Sequence, residues 1–184
     1  MSQKTKIKEY IFVGNYLTPK ECDKCIRLYD TKEWVPHAWY NVESNTAKGE
    51  NTDCNVAATD INFNDILLPA IQKALKDYIN KIAKTKIFSK MSEVRLNRYG
   101  EGKNMKTHFD HIHSMFDGEN KGIPILSIVG LLNDNFTGGE FYVNGVNMKL
   151  KKGDIIIFPS NFMYPHEVKT IKKGERYSYV SWTF

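Results

Sequence analysis

The chain has 184 residues, of which 41% are hydrophobic and 12% aromatic. This length and apolar content suffice to bury one core, so we predict a single domain over residues 1–184. The formal net charge of +5 comes from lysines spread along the sequence, without the arginines interleaved with aromatic residues that line nucleic-acid grooves, so nucleic acid is not an expected partner. No apolar stretch approaches the roughly eighteen residues of a membrane span, and no signal-peptide core occurs, so neither a membrane partner nor secretion is expected.

A strand and two helices are predicted in the first ninety residues. Lys8 to Tyr16 forms the predicted opening strand. Thr18-Pro19-Lys20-Glu21 then combines an N-cap, a proline in the first helical position and a carboxylate in the first turn, which predicts a helix to about Asp30. A second helix is predicted from Asn64 or Asp65, because apolar residues recur at helical spacing. These residues are Leu67, Ile71, Leu75, Tyr78 and Ile82.

The segment between these helices, Glu33 to Asp60, is rich in Asn, Thr, Gly and charged residues. We predict short strands here, joined by a long mobile loop near Ser44 to Asn55. The three cysteines, Cys22, Cys25 and Cys54, are odd in number and imply no disulfide framework. Cys22-x-x-Cys25 lacks a second pair that would complete a zinc site, so free thiols are expected.

Beyond Lys90, short β-rich runs alternate with turn residues. Asn144-Gly145 is a strong two-residue hairpin signal. Several short strands at this spacing suit a jelly roll or barrel. The predicted fold is therefore α+β and mainly β, with residues 1–90 supplying support and residues 91–184 forming the core. The predicted strands are Glu93 to Tyr99, Pro124 to Leu132, Glu140 to Val143, Asp154 to Phe158 and Tyr177 to Phe184.

A metal site is predicted in the β-rich half. His108-Phe109-Asp110 places an imidazole and a carboxylate two residues apart, which on a strand puts both on one face. His166, directly after another predicted strand, completes a set of two histidines and one carboxylate. This set is typical of the facial triad of iron(II) oxygenases. A zinc site built with His111 and His113 is the alternative, and His37 is expected to be a surface or packing residue.

Arg176 stands ten residues after His166 and enters the last predicted strand. A guanidinium suits a bidentate grip on a carboxylate, and burying one in a barrel is unusual without such a partner. The alternative is a surface arginine in the lysine-rich turn Lys172-Lys173-Gly174-Glu175.

From about Glu93 to the C terminus the sequence resembles the prolyl 4-hydroxylase branch of the 2-oxoglutarate and iron(II)-dependent dioxygenases. The opening Tyr16 to Cys22 is also similar to the strand and helix with which many members begin. The motifs that carry the main resemblance are Arg98-Tyr99-Gly100-Glu101-Gly102 before His108-Phe109-Asp110, Gly138-Gly139-Glu140, Lys152-Gly153-Asp154 to Phe158-Pro159, Pro165-His166-Glu167-Val168, and Arg176-Tyr177 to Trp182.

The resemblance implies a double-stranded β-helix, or jelly roll, supported by N-terminal helices. It also implies a dioxygenase in which His108, Asp110 and His166 bind Fe(II) and Arg176 anchors the far carboxylate of 2-oxoglutarate. O2 is the second co-substrate and ascorbate the expected reductant. Collagen-type members have lysine in place of Arg176 and tyrosine in place of Met105. The second hydrogen-bond donor to 2-oxoglutarate is open, with Tyr99 the first choice.

The implied reaction is hydroxylation of an unactivated C–H bond, with proline in a protein or peptide as the expected substrate. Trp182, Tyr142 and the Ser44 to Asn55 loop are the expected substrate contacts. Lysyl, small-molecule and nucleic-acid substrates remain alternatives, although nucleic-acid members usually carry an arginine where this chain has Trp182. A non-catalytic, cupin-like metal-binding barrel is a further alternative. The expected location is the cytoplasm, or the host cytoplasm if the source is viral.

Overall fold

The computed structural model describes residues 8–41, 46–110 and 123–184 of the chain. Within these ranges two larger antiparallel sheets face each other, and two helices cover the outer side of the larger sheet. The described helices include none long and apolar enough to cross a membrane. This arrangement confirms the predicted α+β, mainly β fold with a jelly-roll core and N-terminal helices.

The main sheet has seven strands in the described part of the chain. Their order is β1 (Phe12–Asn15), β12 (Asp154–Pro159), β8 (Leu126–Leu131), β15 (Arg176–Thr183), β6 (Arg95–Tyr99), β5 (Asn55–Ala58) and β2 (Val35–Pro36). Strands from both residues 1–90 and residues 91–184 therefore share this sheet.

The second sheet has the order β11 (Val146–Asn147), β10 (Phe141–Val143), β13 (His166–Val168) and β7 (Met105–His108). Two further ribbons pair β9 (Thr137–Gly138) with β14 (Ile171–Lys173) and β3 (Trp39–Asn41) with β4 (Thr46–Lys48). The predicted hairpin at Asn144-Gly145 is confirmed, because it joins β10 to β11 and both residues have positive φ, 47° and 70°.

Strand β12 shows why the main sheet is apolar on both faces. Side chains alternate along a strand, so Ile155 and Ile157 pack on the helical side while Ile156 and Phe158 pack toward the second sheet. All four are fully buried. A sheet covered on both faces thus explains the uninterrupted apolar run in this strand.

The first helix, α1 (Pro19–Tyr29), begins as predicted. The Thr18 hydroxyl accepts from the Glu21 backbone N–H, and the Glu21 carboxylate accepts from the Thr18 backbone N–H. These reciprocal bonds form a capping box. The predicted opening strand is shorter than expected, since only Phe12–Asn15 pair with β12.

The second helix, α2 (Ile61–Tyr78), begins earlier than the predicted Asn64 or Asp65. Asp60 is the N-cap, and its carboxylate accepts from the backbone N–H groups of Asn62 and Phe63. The predicted start was wrong by three or four residues, because the cap at Asp60 begins the helix before the residues that show helical periodicity. The predicted apolar stripe is confirmed, with Leu67, Ile71, Leu75 and Tyr78 buried and Ile82 partly buried against the same cluster.

The prediction of one long loop from Ser44 to Asn55 was wrong where β4 lies. Strand β4 pairs with β3 in antiparallel register, with Trp39 opposite Lys48. Strand pairing supplies backbone hydrogen bonds that override the turn-forming composition of this segment. Residues 42–45 lie outside the described part of the chain, and the mobility predicted for the loop stays a prediction.

Candidate functional site

Two histidines and one aspartate converge at the ends of β7 and β13. His108 is the last residue of β7, and His166 is the first residue of β13. The two residues are opposite each other in the antiparallel pair, and their ring centroids are 4.3 Å apart. Oδ1 of Asp110 lies 3.5 Å from Nε2 of His108, and Oδ2 lies 3.5 Å from Nε2 of His166. The three side chains therefore present one ligand atom each within 4.8 Å of one another.

Both imidazole rings are oriented by backbone carbonyls two residues earlier. Nδ1 of His108 lies 2.7 Å from the Lys106 carbonyl oxygen, and Nδ1 of His166 lies 3.2 Å from the Tyr164 carbonyl oxygen. A carbonyl oxygen can only accept, so Nδ1 carries the proton and Nε2 presents a lone pair. Burial, followed by the neighbouring His166, lowers the pKa of His108 to about 4, which keeps that ring neutral at neutral pH. Neutral imidazole is the form that binds a metal ion.

The Asp110 carboxylate is buried and held in its charged form. Burial alone disfavours the charge, but His166 and His108 and the hydrogen bonds from Ser127 and Trp182 lower the pKa of Asp110 overall. The Ser127 hydroxyl donates to Oδ2 at 2.6 Å and lies 2.8 Å from the Ser160 hydroxyl. The carboxylate therefore has a fixed orientation. Sequence reasoning missed Ser127, because its role depends on β8 lying beside the site.

A tryptophan supports His108 from the side of the β3–β4 ribbon. Trp39 meets the His108 ring edge to face, with centroids 4.9 Å apart, and its indole N–H donates to Oδ2 of Asp53 at 2.9 Å. His37 packs on the other side of Trp39 at 4.8 Å and is buried, in agreement with the expected packing role. Sequence reasoning missed Trp39 and Asp53, which only tertiary packing brings to the metal-ligand cluster.

Arg176 lies on the floor of the same cavity. It is 1% exposed, which excludes the alternative of a surface arginine in the lysine-rich turn. One terminal nitrogen, Nη1, donates to the Ser178 hydroxyl at 2.7 Å, while Nε and Nη2 are buried without a hydrogen-bond partner among the described residues. Leaving charged donors unpaired in a protein interior is costly, so these groups indicate a ligand that completes the site.

Tyr99 faces Arg176 across the pair of β6 and β15. The Arg176 guanidinium lies over the Tyr99 ring, 5.2 Å from the centroid. The Tyr99 side chain is almost fully buried, and burial raises its pKa well above the ordinary value, so the phenol stays protonated. The Tyr99 hydroxyl lies 3.5 Å from the side-chain nitrogen of Asn97 and interacts with the Cys54 thiol, and its role as the second hydrogen-bond donor to 2-oxoglutarate stays a prediction.

The two aromatic residues that the sequence suggested as substrate contacts lie in different places relative to the cavity. Trp182 lines the cavity, on the same strand as Arg176. Tyr142 does not point into the cavity, because its neighbours Phe141 and Val143 are the buried side chains of β10 and its own ring lies 5.3 Å from the Lys169 ammonium. The predicted contact of Tyr142 with substrate stays a prediction. His111 and His113 lie outside the described residues.

The described residues fit the metal and co-substrate that the sequence resemblance implies. Two histidines and one carboxylate are the donor set of an iron(II) facial triad. Binding of 2-oxoglutarate also requires a cation for its distal carboxylate. Arg176 lies in the same cavity and has N–H groups without a partner among the described residues, so it can supply this cation. Both conditions hold for side chains whose orientation the protein already fixes.

Comparison with protein families gives a match over the C-terminal half. Residues 94–184 match the model of the 2OG-Fe(II) oxygenase superfamily. A curated relative, a PKHD-type hydroxylase of Prochlorococcus marinus, is 34% identical over 76 residues. That match spans 39% of this chain and 34% of the relative, so it covers only about a third of the relative's length.

Solved structures with a similar fold include prolyl hydroxylases. One is the enzyme of Trichoplax adhaerens in complex with a peptide of the hypoxia inducible factor oxygen degradation domain, with a TM-score of 0.73, 17% identity, and 96% of this chain and 84% of that chain covered. Another is the viral collagen prolyl hydroxylase of Paramecium bursaria Chlorella virus-1 in its 2OG complex, with a TM-score of 0.66, 19% identity and 94% of each chain covered. A Pseudomonas putida prolyl-4-hydroxylase has a TM-score of 0.66, 17% identity, and 95% and 91% coverage. At these identities the similarity shows the fold.

Proposed function

We propose that this chain, whose residues 94–184 belong to the 2OG-Fe(II) oxygenase superfamily, is a 2-oxoglutarate-dependent dioxygenase that hydroxylates an unactivated C–H bond. One observation carries the proposal. A cluster of two histidines and one carboxylate shares its cavity with a buried arginine, two nitrogens of which have no hydrogen-bond partner among the described residues. A metal-binding barrel without catalysis needs no such cation, so Arg176 favours the enzyme over the cupin-like alternative.

The chain's own residues have distinct roles in this proposal. His108 and His166 would hold Fe(II) through Nε2, and Asp110 would hold it through its carboxylate. Arg176 and Tyr99 would bind and orient the distal carboxylate of 2-oxoglutarate. Bound iron and 2-oxoglutarate supply the oxidising chemistry, in which O2 is consumed, succinate and carbon dioxide are released and the substrate gains a hydroxyl group.

The walls of the cavity keep water from the reacting centre. Phe141 and Phe158 are buried and lie against the His166 ring, with centroid distances of 5.9 Å and 4.9 Å. Phe141 from β10 and Val180 and Trp182 from β15 line the cavity. Apolar walls strengthen the charge interactions of Arg176 and limit side reactions.

Proline in a peptide or protein is the substrate we propose. Two features support it. Several similar solved structures are prolyl hydroxylases, one with a bound peptide. Exposed apolar side chains, which suit contact with a peptide, also occur beside the ligand-bearing segments at Phe109, Phe162 and Met163. Lysyl, small-molecule and nucleic-acid substrates are the alternatives, and ascorbate is the reductant we expect to sustain turnover.

The test is turnover of defined peptides. The purified protein is incubated with Fe(II), ascorbate, 2-oxoglutarate and a panel of proline-containing peptides, each paired with a control in which alanine replaces proline. We expect succinate formation together with a gain of one oxygen atom on the proline residue by tandem mass spectrometry. Succinate formation with oxygen added to another residue type would reject proline but keep the dioxygenase. No succinate under any condition would reject the dioxygenase itself.

A further inference from the structure

A second arginine lines the cavity, and the proposed function does not use it. Arg95 is the first residue of β6, and its guanidinium lies over the Trp182 ring, 5.1 Å from the centroid. Its Nε donates to Oδ1 of Asn97 at 3.2 Å. Stacking on an aromatic ring and one hydrogen bond hold the plane of the guanidinium, while its two terminal nitrogens make no described hydrogen bond.

Arg95 and Arg176 lie at opposite ends of the cavity. Arg176 pairs with Tyr99 across β15 and β6, whereas Arg95 pairs with Val180. The four-residue offset corresponds to roughly 13 Å along the strands. Both side chains lean towards the C-terminal end of β15, Arg176 to Ser178 and Arg95 to Trp182, so this separation is kept. A 2-oxoglutarate molecule bound to Arg176 would therefore leave Arg95 for a different ligand.

Arg95 is located beside the metal-ligand cluster. Trp182, on which it stacks, donates a hydrogen bond to Asp110. Arg95 is also close enough to His37 to lower its pKa, which burial mainly, and then the Arg95 charge, brings to about 4. His37 is thus neutral at neutral pH, and among the described residues that line this end of the cavity Arg95 carries a positive charge.

The charge of Arg95 has no partner in the described part of the chain. No described carboxylate lies within 4 Å of the guanidinium, in contrast to Arg98 on the same strand, which pairs with Glu175 at 2.8 Å. Arg95 is only partly buried, so the fork is accessible from the cavity. A planar fork with free N–H groups matches a carboxylate in geometry and in charge.

We propose that Arg95 binds a carboxylate of the substrate, and that the enzyme acts on anionic substrates. This inference rests on the proposed function and names the substrate class of the same site. The carboxylate has two possible sources: an aspartate or glutamate near the target residue of a peptide, or the carboxylate of a free amino acid. Both present the same group to Arg95, with the target C–H bond directed at the metal-ligand cluster.

The test compares charged and neutral probes of equal shape. The peptide arm uses proline peptides with Asp or Glu at each of the positions flanking proline, paired with Asn or Gln peptides. The amino-acid arm pairs L-proline with L-prolinamide. Binding is measured by calorimetry on protein loaded with Mn(II) and 2-oxoglutarate without oxygen, and turnover is measured as succinate with Fe(II) and oxygen.

The variants separate charge from packing. Arg95→Met keeps an unbranched apolar stem on Trp182 but removes the charge. Arg98→Met is the matched control, because it removes an arginine from the same strand on the face away from the cavity. We expect carboxylate probes to bind wild type about 10- to 100-fold more tightly than their neutral partners. Arg95→Met should abolish this difference, whereas Arg98→Met should keep it.

The outcomes separate this inference from the proposed function. Equal binding of charged and neutral probes by wild type, or a carboxylate preference that survives in Arg95→Met, would overturn the role of Arg95. An Arg95-dependent preference without turnover of any proline compound would instead contradict proline as the target and keep the anionic substrate. The arm that shows the preference identifies the source of the carboxylate.

Discussion

Replacing Arg176 should separate co-substrate binding from metal binding. The side chain is fully buried, one nitrogen is bonded to Ser178, and Nε and Nη2 have no partner among the described residues. Arg176→Ala would leave the distal carboxylate of 2-oxoglutarate without its cation. Arg176→Lys would keep a charge but lose the planar fork that can make two parallel bonds.

The expected size of the effect follows from this burial. Removing one partner of a buried, hydrogen-bonded charge pair costs about 2–5 kcal/mol. Since about 1.4 kcal/mol corresponds to tenfold in affinity, Arg176→Ala should raise the Kd for 2-oxoglutarate by about 30-fold to a few thousand-fold. Arg176→Lys should lie between the wild type and Arg176→Ala. Fe(II) affinity should be nearly unchanged, because Arg176 is not a proposed ligand.

Calorimetric titration without oxygen measures both affinities in each variant. A thermal shift gives an independent reading, because ligand at 100 times its Kd stabilises a protein by about 2.7 kcal/mol. At the same ligand concentration this stabilisation should fall to about 0.9 kcal/mol or less in Arg176→Ala. Arg98→Ala is the control and should keep the full shift. Wild-type affinity for 2-oxoglutarate in Arg176→Ala would refute the co-substrate assignment even if the iron site were correct.

Three further predictions concern the support of the site and the core. Ser127→Ala removes the hydrogen bond to Asp110 and should weaken Fe(II) binding by about 10- to 100-fold, and an unchanged titration would show that the hydroxyl does not support the metal ligand. Gly130→Ala should lower the free energy of unfolding by about 1–3 kcal/mol in a urea titration, because an added Cβ would lie 2.0 Å from the ring of Tyr179; an unchanged midpoint would contradict this close approach. The folded protein should not react with a thiol reagent at pH 8, because burial raises the pKa values of its cysteines from the ordinary 9.0 and keeps the thiols protonated until higher pH. Unfolding should make the thiols reactive, and rapid labelling of the folded chain would contradict their burial. These pKa values are about 11 for Cys22, 12 for Cys25 and 11 for Cys54.

Much of the fold could be predicted because it depends on local pattern. The capping box at Thr18 and Glu21, the apolar stripe of α2 and the Asn144-Gly145 hairpin are each set by residues close in sequence. The start of α2 was missed because the cap at Asp60 precedes the periodic residues. Strand β4 was missed because its extended conformation is stabilised by pairing with β3, and the amino-acid composition of the segment does not indicate this pairing.

The candidate site was also predicted only in part. His108 and Asp110 lie two residues apart at the end of β7, so their spacing alone placed them together. His166 and Arg176 were added because their residue types complete an iron(II) triad and suit a carboxylate, and the resemblance to the family supplied their specific roles. The supporting groups come from distant parts of the chain. Ser127 reaches Asp110 from β8, and Trp39 reaches His108 from β3. Such contacts depend on how the sheets are placed, which residue spacing does not show.

The central claim is that the cluster at His108, Asp110 and His166 binds the iron that drives turnover of 2-oxoglutarate. Succinate formation by wild type and by Asp110→Ala, with Asp65→Ala on the exposed face of α2 as the control, tests it most directly. We predict iron- and oxygen-dependent succinate formation by wild type and Asp65→Ala, and a loss of more than about a hundredfold in Asp110→Ala, since a direct ligand contributes more than the groups that orient it. Asp110→Ala protein that forms succinate at the wild-type rate would contradict the account.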